Sequence, residues 1–335
     1  MTETPPTGGR PRFAVAPMID WTDRHCRFFH RQLSREALLF TEMVVADAVI
    51  HGDRERLLGF DGAEHPLALQ LGGADPEKLA RATRIAAEFG YDEINLNVGC
   101  PSDRVQSGTF GACMMRVPDL VGECLQAMRE ASPVPVSVKC RIGVDEQDPE
   151  EALDRLADAA VAAGIGTIWV HARKAWLQGL SPKENREIPP LDYDRVHRLK
   201  RRLPRVFVGL NGGLATVAAA LPHLARLDGV MMGRGAYQTP AELALVDAAL
   251  AGGAPEPVDW RQVVQTMADY AEGHIARGGR LHHVARHMVG LFTGRPGARR
   301  WRQILSEAGS RHDARPDLLL DAFSEVDLGA PARAA

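Results

Sequence analysis

Short apolar runs recur along most of the chain, and each is followed by a stretch whose apolar positions return every three or four residues. In order the runs are RFAVAP from Arg12, LLFTEM from Leu38, LALQLG from Leu67, EINLNV from Glu93, VSVKC from Val136, TIWVHA from Thr167, VFVGLN from Val206 and GVMMGR from Gly229. Most are almost continuously hydrophobic, as parallel strands covered on both faces must be. The stretches between them predict helices. PEKLARATRIAAEFG opens on Pro76 and stops at Gly90, PDLVGECLQAMREA opens on Pro118, and PEEALDRLADAAVAAG stops at Gly164. Eight strands alternating with helices predict an α/β fold, a (β/α)8 TIM barrel. The competing arrangement, an open doubly wound sheet, usually shows a glycine-rich turn after its first strand. Here that strand runs into Ala16-Pro17-Met18.

Near Ala251 the pattern changes. GGAPEPVDW reads as a linker, and the segments after it, DWRQVVQTMADYAEGHIARG, LHHVARHMVGLFTG and ARRWRQILSEAG, carry helical periodicity without strand-like runs. The expected organisation is a disordered tail over residues 1–11, a barrel over 12–250 and a small all-α domain over 251–335.

Composition narrows the class. The chain has 335 residues, 45% apolar and 25% charged, which excludes disordered, collagen-like and disulfide-scaffold proteins. Its net charge is −3, so any contact with nucleic acid must come from local basic clusters. The five cysteines, Cys26, Cys100, Cys113, Cys124 and Cys140, form no CxxC pair, and no His/Cys/Asp set has metal-ligand spacing; no metal is expected. The start lacks a signal-peptide core and no apolar run reaches membrane-spanning length, so a cytoplasmic protein is expected.

In a barrel the reactive groups stand at the C-terminal ends of the strands. Those positions hold Pro17 and Met18, Thr41 and Glu42, Gln70, Asn95 and Asn97 before Gly99-Cys100-Pro101, Lys139 and Arg141, His171, Asn211-Gly212-Gly213, and Gly233-Arg234. The last two loops are the usual phosphate pocket of this fold, where glycines let backbone N–H groups approach an anion. Lys139 can stabilise an anion, act as a Schiff-base nucleophile, or form a structural ion pair with an acid such as Glu42. His171 suits general acid–base chemistry, a hydrogen bond to phosphate, or a purely structural place. Four cysteines read as small core residues, but Cys100 lies in a loop that opens on the barrel mouth, where a thiol can serve as nucleophile or proton donor.

Two features point to a large anionic partner. The loop over residues 172–190 is long for a compact barrel and carries Lys174, Trp176, Lys183 and Arg186. From Arg277 to Arg302 there are seven arginines and no acid, with Trp301 and three histidines among them. Arginine beside an aromatic suits phosphate contact and base stacking.

These residues resemble a known family. APMIDWTDRHCR from Ala16, TEMV from Thr41, ALQLGG from Ala68, DEINLNVGCPSDRVQSGTFGA from Asp92, VKCRIG from Val138, HARKAWLQGLSPKENREIPPL from His171, NGG at Asn211 and GVMMGR from Gly229 are similar to the tRNA-dihydrouridine synthases. The likeness is greatest to the bacterial A subfamily, which modifies the D loop at positions 20 and 20a. It runs motif by motif over residues 12–245, and more loosely through GARRWRQ in the helical domain. Cys140 stands where some relatives have threonine. The resemblance implies an FMN-bearing barrel and a helical tRNA-binding domain. Pro17 and Met18 would lie against the isoalloxazine, Gln70 and Lys139 would bond the flavin ring, and His171, Asn211, Gly212, Gly213, Gly233 and Arg234 would hold the phosphate. NADPH would reduce FMN, whose N5 would pass hydride to C6 of a flipped-out uridine while Cys100 protonates C5. Asn97, Lys183, Arg186, Arg299 and Arg302 would contact tRNA. A monomer is expected. The competing functions are a barrel enzyme on a small phosphorylated substrate, such as a Schiff-base aldolase or a dihydroorotate-type flavoenzyme, and a catalytically idle tRNA-binding factor.

Overall fold

The computed structural model describes residues 9–101 and 110–329; residues 1–8 of the expected tail and residues 102–109 of the DEINLNVGCPSDRVQSGTFGA motif lie outside these. Eight parallel strands close into a barrel in chain order. They are β1 (Phe13–Val15), β2 (Leu38–Val45), β3 (Leu67–Gly72), β4 (Glu93–Val98), β5 (Val136–Arg141), β6 (Thr167–His171), β7 (Phe207–Asn211) and β8 (Gly229–Met232). The barrel closes through pairing of Phe13, Ala14 and Val15 with Val230, Met231 and Met232.

Local chemistry starts and stops the outer helices. Pro76–Ala87 and Pro149–Ala162 each follow an aspartate whose side chain caps the first turn, Asp75 to the Lys78 N–H and Asp148 to the Glu150 N–H, with proline at the first helical position. The second ends at Gly164, whose φ of +81° suits glycine. There Gly164 N–H donates to Val161 O and Ile165 N–H to Ala160 O.

The barrel interior is layered. At its floor the fully buried Trp169 packs beside Phe207 and Phe40. Gly209 and Gly229 make room for it, since a Cβ at these positions would lie 2.1 Å and 2.9 Å from the indole. A side chain of that bulk in a core is worth about 3–5 kcal/mol on truncation. Above the floor the inward positions turn polar and lead to the mouth.

The C-terminal helices Trp260–Ala276, Leu281–Met288, Ala298–Glu307 and Leu318–Ser324 pack on one another, and Leu281–Met288 also packs on the first barrel helix, Arg24–Arg31. Among the described residues no helix is long and apolar enough to cross a membrane.

Candidate active site

The C-terminal strand ends surround one cavity of about 1270 Å³. Pro17, Met18, Gln70, Asn97, Cys100, Lys139, His171, Arg186, Asn211, Gly212, Gly213, Gly233 and Arg234 line it; Lys183, Arg299 and Arg302 do not.

One wall is built by the two-residue period of β4, which turns Glu93, Asn95 and Asn97 to the same side. A chain of hydrogen bonds links them. Arg10 Nη1 pairs with Glu93 Oε2 at 2.9 Å, Ser137 Oγ donates to Glu93 Oε1 at 2.5 Å, and Asn95 Nδ2 donates to Ser137 Oγ at 2.7 Å. Gln70 Nε2 donates to Asn95 Oδ1 at 2.8 Å, and Asn97 Nδ2 to Gln70 Oε1 at 2.7 Å. The amide of Asn97 is thereby oriented, and its Oδ1 accepts the backbone N–H groups of Gly99 at 3.0 Å and Cys100 at 2.9 Å. Arg141 Nε donates to Gly99 O, and Ala112 N–H donates to Cys100 O, both at 2.9 Å. The turn that carries the Cys100 thiol is thus fixed at each carbonyl and amide. Asn97 is 8% exposed and also lines the cavity beside this turn.

The other wall is cationic. Lys139 Nζ donates to Asn211 Oδ1 at 3.1 Å. Glu42 is therefore not the partner of Lys139: an irregularity of β2 between Phe40 and Met43 brings its carboxylate instead to the Asp20 N–H, at 2.6 Å. Burial, then Arg141, pushes the Lys139 ammonium down to about 8. Burial likewise lowers Arg141, to about 10, as well as Arg173 and Arg186. His171 is held well below its ordinary range by burial and by Arg141 and Lys139, so it is neutral at pH 7. Among the described residues Lys139, Arg141, Arg173 and Arg186 have no acid partner, whereas Arg234 pairs with Glu187 at 2.5 Å. Lys139, Arg141 and Arg186, which line the cavity together, are the electrostatic complement of an anion.

The ends of β6, β7 and β8 shape a receptor for one. His171 Nε2 is buried without a hydrogen-bond partner. Gly212 and Gly213 have φ of +115° and +68°. A Cβ on Gly212 would lie 2.8 Å from the His171 ring, and one on Gly213 2.5 Å from Leu191. At Gly233 a Cβ would meet only Ala16 and Met18 at 3.7 Å, so the side of this residue left open by the protein belongs to the cavity. An orphaned imidazole nitrogen beside a glycine cradle fits a phosphate-bearing cofactor.

Sequence reasoning missed several residues that organise the site. Asn185 is fully buried and serves as hub of the loop after β6: it donates to Trp176 O and Leu180 O, accepts from Trp176 N–H, and its carbonyl takes Arg141 Nη1. Asp23 receives Arg286 Nη2 at 2.6 Å and lies 3.0 Å from His287 Nε2, joining the first barrel helix to the C-terminal helices. Burial pushes the Asp23 carboxyl up, but the nearby His287 and the Cys26 N–H outweigh this and hold it well below the usual range.

The arginine-rich segment is correspondingly divided. Arg286 serves Asp23, and Arg280 donates to Ser310 O. Trp301, expected to stack on a ligand with the arginines, is instead core: it is fully buried, its Nε1 donates to Met288 O at 3.0 Å, and its ring meets Phe292 edge-on. Arg299, Arg300 and Arg302 remain exposed around it. Cys26, Cys124 and Cys140 are buried, with burial raising each thiol, the last two to about 12. Among the described residues no group of three His, Cys, Asp or Glu is arranged to hold a metal ion.

Comparison with known proteins gives a consistent picture. The tRNA-dihydrouridine(20/20a) synthase of Shewanella oneidensis is 54% identical over 314 residues, covering 94% of this chain and 93% of its own. Those of Xanthomonas axonopodis pv. citri and Yersinia pestis are 55% and 51% identical, again over 94% of this chain, and over 94% and 91% of theirs. Among solved structures, an old yellow enzyme homologue from Zymomonas mobilis shares the barrel fold, with a TM-score of 0.50 at 12% identity, covering 75% of this chain and 92% of its own. The dihydrouridine synthase (Dus) family model matches residues 14–327, and the chain belongs to that family.

Proposed function

We propose that the chain is a flavin-dependent tRNA-dihydrouridine synthase that reduces the C5–C6 double bond of D-loop uridines at positions 20 and 20a. The observation that carries this reading is the meeting of two groups on one cavity: Cys100, whose turn is pinned by Asn97, and Lys139, fixed by Asn211, with the glycine cradle of β7 and β8 beyond them.

When bound, FMN reduced by NADPH supplies the hydride that adds to C6 of the uracil. His171, Asn211, Gly212, Gly213, Gly233 and Arg234 would hold its phosphate, and Pro17 and Met18 would lie against its ring. Gln70 and Lys139 would bond the ring, and the Lys139 ammonium would stabilise negative charge on it. Cys100 gives its thiol proton to C5. The base must leave its stack to reach a cavity sunk in the barrel, as Asn97 and Cys100 lie within it. Asn97 and Arg186 reach the base inside the cavity, and Lys183, Arg299 and Arg302 contact the tRNA outside it. The enzyme acts as a cytoplasmic monomer without a metal.

The test is a visible spectrum of the purified protein before and after anaerobic NADPH, followed by nucleoside analysis of tRNA from a strain lacking dihydrouridine. A flavin spectrum that bleaches, and dihydrouridine at positions 20 and 20a, are expected. A protein that stays colourless after FMN reconstitution overturns the reading. A borohydride-trapped adduct on Lys139 would favour the aldolase alternative.

A further inference from the structure

Trp21 has no part in the chemistry above, yet it lines the cavity. One face of its indole is covered by Tyr237, stacked with ring centroids 4.4 Å apart and planes 16° from parallel. Tyr237 does not line the cavity, so it backs the indole from behind. The backing continues outward: Tyr237 meets His287 edge-on at 5.7 Å, and His287 Nε2 lies 3.0 Å from Asp23. The backbone of Trp21 is also fixed, by its N–H to Met18 O at 3.1 Å. The preceding Asp20, at φ of +65°, is gripped by Glu42 on its N–H and by Arg286 on its carbonyl. The result is a rigid, half-buried aromatic ring, covered on one face by Tyr237 and bordering the cavity, three residues after Met18.

Resting on the functional reading above, we propose that Trp21 is a stacking subsite for a second nucleobase of the tRNA, one adjacent to the uridine that enters the cavity. Preorganisation by Tyr237 removes the ordering cost of the ring before RNA arrives. An indole plane offers dispersion and π contact, which a flat base can use and a phosphate cannot, so the plane takes a base in place of the RNA backbone. Any base has a π-face, so the subsite holds the flanking nucleotide without reading its identity.

The test compares Trp21→Leu and Trp21→Phe in the flavin-loaded full-length enzyme. Trp21→Leu should raise KM for tRNA roughly 5- to 150-fold, the span of one base–aromatic stack, with kcat changed less. Trp21→Phe should keep most of the affinity but lose part of the tryptophan fluorescence quench that tRNA causes in the wild type. The rate of flavin reduction by NADPH should match wild type in both. An unchanged KM in Trp21→Leu overturns the subsite. So does slowed flavin reduction with KM intact, which would give the ring to the nicotinamide, or equal loss of kcat and melting temperature in both variants with KM intact, which would make it a buttress only. A wild-type enzyme that forms no dihydrouridine overturns the functional reading, and the subsite with it.

Discussion

Asn97 Oδ1 lies 2.9 Å from the backbone nitrogen of Cys100 and accepts its N–H, so the residue two positions into the loop is held by the strand that ends before it. Two variants separate the thiol from its support. Cys100→Ala should keep flavin and its reduction by NADPH but lower dihydrouridine formation by roughly 10²- to 10⁴-fold, the usual worth of a positioned proton donor. Asn97→Ala leaves the Gly99 and Cys100 N–H groups without their acceptor and Gln70 Oε1 without its donor. It should lower turnover too, with a smaller loss. Single-turnover oxidation of the reduced enzyme by tRNA reads both, and full turnover in Cys100→Ala would remove the thiol from the mechanism.

The lowered ammonium of Lys139 makes a prediction about pH. Its value near 8, against an ordinary 10.5, means that the unfolded chain binds more protons than the folded one between those values. Stability of the cofactor-free protein should therefore rise with pH across that window, with the full penalty present below pH 8. Lys139→Met removes this contribution. The melting temperature of wild type minus that of Lys139→Met should increase from pH 7.5 to pH 10, and a difference flat in pH would place the penalty elsewhere.

The glycines of the cradle should respond differently to a methyl group. Gly212→Ala combines φ of +115° with a Cβ 2.8 Å from His171, so it should lose both stability and flavin. Strain of this kind costs about 1–3 kcal/mol. Gly233→Ala meets protein atoms only at 3.7 Å, and its Cβ enters the space assigned to the ligand. It should lower FMN affinity with a smaller fall in melting temperature. Thermal unfolding of the apo forms and FMN titration decide between them; equal FMN affinity for Gly233→Ala and wild type would move the phosphate away from this loop.

The parts of this molecule that were legible in sequence are those set by local rules. Eight strands could be counted because strands covered on both faces are apolar along their whole length. The mouth residues could be named because strand ends carry the site in this fold, and Gly90 and Gly164 do mark helix ends through positive φ. What escaped depends on partners distant in the chain. Nothing near Asp23 shows that Arg286 and His287 will close on it, and nothing in RRWR shows that helix packing turns Trp301 inward while leaving Arg299, Arg300 and Arg302 outside. Asn185 in a polar loop reads as solvated, and only the folded loop makes it a buried hub. The helix Leu318–Ser324 also escaped, being too short for a clear period.

The exposed arginines of helix Ala298–Glu307 lead to the last prediction. Arg299 and Arg302 are three positions apart on one helix, exposed, and neither has an acid partner among the described residues, while their neighbour Trp301 anchors the helix in the core. Their charge is therefore available to phosphates without cost to the fold. The double variant Arg299→Ala, Arg302→Ala should melt close to wild type and reduce flavin normally. Its tRNA affinity should fall, and the slope of log K against log salt should flatten by roughly 1.8, about 0.9 for each phosphate no longer neutralised, or somewhat less on a single strand. Trp301→Ala, by contrast, should act through stability, since its indole contributes packing and one hydrogen bond to Met288. Binding isotherms over a range of salt concentrations measure the difference directly. A double variant whose affinity falls but whose salt slope is unchanged would mean that the two guanidiniums act through the shape of the helix and form no ion pair with the tRNA backbone.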